Sequence, residues 1–393
     1  MRHLPDDTIT LAIGDQQFET LFGDPDFPTN ARGGNDTITV SIGTQTFLDL
    51  VGDGATLDGH SHGGNDTLAV SLAGFEDTVI VDGDAQSMVD HAKGGNDTLY
   101  ASSKNSVFTS FSLYGDTEGV MSDHAKGGND NIVGVFGGRS SNTLVGDGAT
   151  MTGHTHGGND TLLAFEANQD GSAGLYGDAI TMSDHAHGGN DVLTLVVGSD
   201  AENGGATLYG DAGFLEGDAR GGNDVLTAFF GVSDPNGSQS VALIGDADTM
   251  SGNARGGNDV LIGGSHNDTL VGDALHYAPS APGSIKGGND ILNGGAGNDQ
   301  LWGGPNNDKF VFDKGSGLDV IHDFDQGNRA VGSTAPEHDV INLHDYGFAS
   351  WKALLSLISD DSSGNAVIHL TTNDAITLAG VHTADLHARD FTI

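Results

Sequence analysis

The tetrapeptide GGND occurs nine times, starting at residues 33, 63, 94, 127, 157, 188, 221, 256 and 287, at intervals of 30 to 35 residues. Self-similarity at such a period restricts a chain to stacked architectures, because no single unit can bury its apolar face alone. A second marker, Gly-Asp, precedes the copies by 10–12 residues, as in Gly23-Asp24 and Gly52-Asp53, and by 15 at Gly272-Asp273. Two residues beyond GGND the chain always carries Ile or Leu: Ile38, Leu68, Leu99, Ile132, Leu162, Leu193, Leu226, Leu261 and Leu292. Apolar residues also lead into Gly-Asp, as at Leu113-Tyr114, Leu175-Tyr176 and Leu208-Tyr209. Each repeat therefore reads as strand, variable turn, strand, long turn, with coils stacked at about 4.8 Å. The predicted fold is all-β, a parallel β-roll or β-helix solenoid of about nine long coils, one per GGND.

Further columns run through the long turn. Six residues before GGND stands an apolar residue, Phe27, Leu57, Met88, Met121, Met151, Met182, Leu215 or Met250, read as an anchor for that turn. Three before it stands Asn30, His60, His91, His124, His154, His185, Asp218, Asn253 or Ser284. The residue just before GGND is always basic or His: Arg32, His62, Lys93, Lys126, His156, His187, Arg220, Arg255 or Lys286. Six of the 14 Lys and Arg fall in this one column, which reads as a cationic rail offsetting nearby aspartates. The turns opposite GGND vary freely, at 74–77, 168–174 and 233–237.

Acid dominates the charge. There are 48 Asp against seven Glu, and the formal net charge is −41. Solubility alone would not choose between the two acids, whereas tight turns holding hard cations favour the shorter one. Such a chain should avoid nucleic acid and anionic lipid. No apolar run approaches membrane-spanning length, and the N-terminus MRHLPDDTIT has no apolar signal core. Cysteine is absent, as are HExxH and GxSxG, which excludes thiol, zincin and nucleophile-elbow chemistry. Asp7-Thr8-Ile9-Thr10-Leu11 already looks like the tail of a repeat, so no room is expected ahead of the repeats for a catalytic domain.

The segment 293–308, NGGAGNDQLWGGPNND, holds two units close to GGxGxDxUx, a known calcium-binding β-helix signature. Together with GGSHND at 263–268, it makes the chain resemble the RTX (repeats-in-toxin) family. The resemblance implies calcium held by turn carbonyls and aspartates between successive coils. The GGND ligands would be Asp36, Asp66, Asp97, Asp130, Asp160, Asp191, Asp224, Asp259 and Asp290, joined by Asp268, Asp299 and Asp308. The Gly-Asp residues Asp24, Asp53, Asp84, Asp116, Asp147, Asp178, Asp211, Asp246 and Asp273 would be second ligands on the same edge, or plain turn residues. About ten ions are expected, most on one edge, with both edges used only around 256–308. The His column is read as a hydrogen-bonding turn position or a secondary metal site.

Segments DKFVF (308–312), GLDVIHDF (317–324) and DVINL (339–343), a helix expected over 348–358 and strands at 366–370 and 375–378 resemble the serralysin C-terminal domain. That likeness implies a type I secretion exporter as partner. The insertion 326–337 is read as an excursion without consequence. The expected organisation is a long-repeat roll over 1–255, nonapeptide-like turns over 256–312, and a C-terminal cap with one or two short helices and a secretion signal over 313–393. The function expected is a secreted, non-enzymatic calcium-binding scaffold of a surface or matrix. The alternatives are a glycan or ice recognition module, or the non-catalytic repeats of a larger RTX enzyme. The Thr column of Thr37, Thr67, Thr98 and Thr161 suits ice but is broken by Asn131, Val192, Val225, Val260 and Ile291. Cell-surface polysaccharide and self-association are the remaining partner expectations.

Overall fold

Residues after each GGND alternate in character, and burial alternates with them: in Thr37–Ile42 every second side chain is buried. The computed structural model describes residues 2–72, 74–103, 108–137, 140–166, 172–198, 205–231 and 240–393. In it these segments stack in register as a 13-stranded parallel sheet, from Thr8–Ile13 to Phe391–Thr392. Ile38 aligns with Leu68, and Leu68 with Leu99, so identical columns meet across coils. The segments leading into Gly-Asp form a second sheet, of 14 strands, starting at Phe18–Phe22. Between the two sheets lies the main core, with Leu50, Leu113, Leu144, Leu175 and Leu208 facing the Ile/Leu column, all fully buried. The molecule is a parallel β-solenoid, as the repeat predicts.

The long turn is more than a turn. Six strands within it, from Thr117–Met121 to Ala274–Pro279, make a third parallel sheet. Beneath it Leu57, Met88, Met121, Met151, Met182, Leu215 and Met250 pack with Ala92, Ala125, Ala186, Ala219 and Ala254 as a separate core. The expected anchor column is thus the spine of a second lobe. Four residues before GGND, Gly59, Asp90, Asp123, Gly153, Asp184, Gly217, Gly252 and Gly283 all have φ between 60° and 81°. Only Gly, Asp and Asn enter this left-handed region cheaply, which explains the residues of these eight coils; the first coil has Thr29 there and turns instead at Asn30, φ 58°.

Two expectations for the C-terminal region need correction. The helix spans only Trp351–Leu355, because Ile358 leaves it to pair with Ile368 in an antiparallel strand. The insertion at 326–337 is not idle: Val331 is buried in the second core, and its carbonyl accepts from Gly283 N–H at 2.7 Å. It stoppers the end of that lobe. Phe391–Thr392, in the segment likened to a secretion signal, is the last strand of the first sheet, and Phe391 stacks on Trp351. The variable turn at 74–77 includes Asp77, which accepts from Thr46 N–H at 2.9 Å, apart from residue 73, which is not described. Of the turn expected at 168–174, residues 172–174 belong to the strand Ser172–Tyr176; its residues 168–171 and the turn at 233–237 lie outside the described residues.

Candidate metal centre

The aspartates of GGND form one ladder. The backbone N–H of each donates to Oδ1 of the next, from Asp36 to Asp66 (2.6 Å) through Asp97, Asp130, Asp160, Asp191, Asp224, Asp259 and Asp290 to Asp308 (2.9 Å). In all ten, Oδ2 is buried and has no hydrogen-bond partner. A native core leaves few such atoms, since each unpaired one costs about 1–3 kcal/mol.

The Gly-Asp aspartates form a second ladder on the same edge. Each accepts from the second glycine of its own GGND: Asp24 from Gly34 and Asp53 from Gly64 (both 2.8 Å), Asp84 from Gly95, Asp116 from Gly128, and Asp147 from Gly158 (2.8 Å). Asp178, Asp211, Asp246 and Asp273 accept from Gly189, Gly222, Gly257 and Gly288, each at 2.6 Å. Oxygens from two coils converge beside the first glycine of the motif. A β-carbon on Gly157 would collide with both Asp147 Oδ2 and Asp178 Oδ1, and one on Gly146 with Asp160 Oδ2 and the Gly177 carbonyl. Glycine here keeps open an oxygen-lined space between coils, with carboxylates and a carbonyl as its walls. This is the donor set of a hard divalent cation.

Electrostatics point the same way. Burial pushes the carboxyls up, to about 6 for Asp36 and Asp211, about 7 for Asp273 and about 8 for Asp66. Burial raises Asp147 well above its ordinary range, with repulsion from Asp160, Asp116 and Asp178 adding to it. A carboxyl raised on folding contributes stability that is complete below its unfolded value near 3.8 and is lost as pH climbs through the folded value. With calcium chelated, the thermal midpoint should therefore fall as pH rises from about 5, until the fold is lost near neutral pH. With calcium the trend should reverse, because ligands must shed protons to bind. Calorimetry across that range checks this, and a chelated midpoint that rises with pH would contradict it.

The opposite edge is sparser. Asp268 accepts from Gly264 (2.8 Å) and Val241 (3.1 Å), and its own N–H reaches Asp299 (2.8 Å), whose N–H reaches Asp319 (3.0 Å). Three residues of this network escaped sequence reasoning. Asp319 extends that edge, Asp339 extends the GGND ladder by accepting from Asp308 N–H at 2.9 Å, and Asp323 accepts from Gly303 and Gly304. Their signal was an acid within, just before or just after a short V/I strand, in GLDVIHDF and DVINL, obscured by irregular coil length.

The basic column does not behave as a rail for the aspartates. Its backbones bridge coil to coil, Arg32 to His62 to Lys93 and onward, while its side chains point outward. Among the described residues none of the nine ion-pairs with a ladder aspartate. Burial and the flanking cations lower the pKa of His62, His156 and His187. The His column stacks face to face on the surface, His60 to His91 to His124 to His154 to His185, with centroids 4.8–5.2 Å apart. Among the described residues it gathers no group of three ligand atoms.

Fold and ladders together define a cation-binding parallel β-solenoid. The family model described as the RTX calcium-binding nonapeptide repeat matches residues 245–275 and 286–318, so the chain carries RTX repeats there, within a parallel β-solenoid. Comparison with curated proteins and comparison with solved structures return no match. Calcium is the ion these repeats bind. The residues fit it: the orphan Oδ2 atoms, the Gly-Asp carboxylates and the turn carbonyls would hold it, and it would supply the positive charge that the buried acids lack.

Proposed function

We propose that the chain is a secreted, non-enzymatic scaffold that leaves the cell through a type I exporter and folds on calcium outside it. One observation carries this reading. Buried aspartates run from Asp36 to Asp339 with no Lys or Arg paired to them among the described residues. The folded state is then conditional on a cation of the kind that extracellular modules bind with dissociation constants of roughly 10⁻⁴–10⁻³ M. The likeness of 308–393 to the serralysin C-terminal domain supports the exporter. No described helix is long and apolar enough to cross a membrane.

A second reading has its own support. The stacked imidazoles, with Lys126 and His156, line a shallow groove of about 430 Å³ on an otherwise acidic molecule, a surface suited to an acidic polysaccharide. Light scattering with calcium, with and without such a polysaccharide, separates the two. The scaffold expects calcium-driven assembly of the protein alone. Assembly that requires the polysaccharide, and is lost in a His124→Ala, Lys126→Ala double variant, would replace it with recognition.

A further inference from the structure

Two columns of the second sheet contain a residue that the repeat does not call for. Asp82 aligns with Val51 on one side and Tyr114 on the other. Asp49 aligns with Thr20 and Ile80. Both acids are buried, at 0% and 6% exposure, and belong to neither ladder. Glu118, in the opening strand of the third sheet, meets them: one carboxylate oxygen from each of the three lies within 4.8 Å of the others.

Their hydrogen bonds leave oxygens over. Gln86 Nε2 donates to Asp49 Oδ2 at 2.8 Å, and Glu118 N–H donates to Asp82 Oδ1 at 2.5 Å. Asp49 Oδ1 and Asp82 Oδ2 are buried without a partner. No Lys or Arg ion-pairs with any of the three among the described residues. Three converging carboxylates with free, buried oxygens are costly unless a charge of opposite sign joins them. Valine, present one coil earlier, would fill Asp82's place without that cost.

We propose that Asp49, Asp82 and Glu118 hold a further calcium ion, separate from both ladders. The donors are all oxygen, which suits a hard cation and disfavours zinc, whose sites are built mainly on nitrogen and sulfur. The site would add a tie across three successive coils, linking the second sheet to the first strand of the third, where the second lobe's sheet begins. Half-buried Glu118 gives the ion its route from solvent.

Native mass spectrometry of the full chain at fixed free calcium tests this. Asp82→Val restores the residue of the neighbouring coil and leaves every ladder aspartate in place. It should bind one calcium fewer than the wild type while keeping its β-sheet spectrum. An unchanged count in folded Asp82→Val overturns the proposal. Should that variant not fold, Glu118→Gln gives the same reading: one ion lost supports the site and an unchanged count overturns it. Failure of the calcium-folding reading would look different, as a wild type that binds no calcium at all.

Discussion

Excess chelator at neutral pH is expected to abolish the β-sheet circular dichroism of this protein, and millimolar calcium to restore it cooperatively. Without a cation, ten ladder carboxylates, the nine of GGND and Asp308, sit buried with one oxygen unpaired, facing a second column of acids in the same turns. Main-chain donors satisfy the other oxygens, so the orphans cannot be cured by local adjustment. Linkage gives the scale. A site with a dissociation constant near 10⁻⁴ M contributes about 1.4 kcal/mol at millimolar calcium. About ten such sites would contribute roughly 14 kcal/mol, as much as the whole stability of an ordinary domain. A β-sheet signal that persists in excess EGTA would refute this.

Asp160→Asn should change sign with calcium. The amide oxygen can still accept from Asp130 N–H, the bond that Asp160 Oδ1 makes at 2.7 Å. What is lost is the charge and the free Oδ2. With calcium, the variant should lose ions at the adjacent interfaces and about 1–3 kcal/mol of stability, the usual loss for a buried charged ligand. In chelator at about pH 6, where partly protonated carboxyls keep the wild type folded, it should be no less stable than the wild type, because it removes one of several mutually repelling acids. Asp160→Ala, by contrast, strips the Asp130 donor of its acceptor and should destabilise under both conditions. Asp147→Asn should resemble Asp160→Asn more weakly, and Lys126→Ala should leave calcium occupancy intact. Denaturant titrations of the four variants, with and without calcium, give these comparisons. Equal destabilisation of Asp160→Asn in both media would reduce the aspartate to a hydrogen-bonding role.

Much of this was legible because a period of about 31 residues turns sequence columns into spatial ones. Leu162 and Leu193 stand in one column of the text and pair in the sheet. The two aspartate series could be written down for the same reason. The third sheet was hidden because its strands are only four to six residues long, with many small residues and no clean alternation, as in Gly148–Met151. Spacing also fails to say which way a side chain points, so the Arg/Lys/His column looked like a counter-charge when it faces solvent. Asp319, Asp323 and Asp339 fell off the columns because the last coils differ in length. Asp49 and Asp82 were missed for the opposite reason, as single exceptions in otherwise regular columns.

The aspartate bonds all point one way along the roll. Each N–H donates toward the C-terminal neighbour, from Asp7 to Asp36 at the start and from Asp308 to Asp339 at the end. The asparagine bonds run oppositely, Asn65 N–H to Asn35, but on the exposed surface, where water can replace a lost partner. The stack therefore has unlike ends. Taking a coil from the N-terminal end frees an acceptor, which tolerates solvent. Taking one from the other end frees a donor. To extend this ladder, a coil joined at the N-terminal end need bring only a main-chain N–H, whereas one joined before the terminal cap must bring a carboxylate.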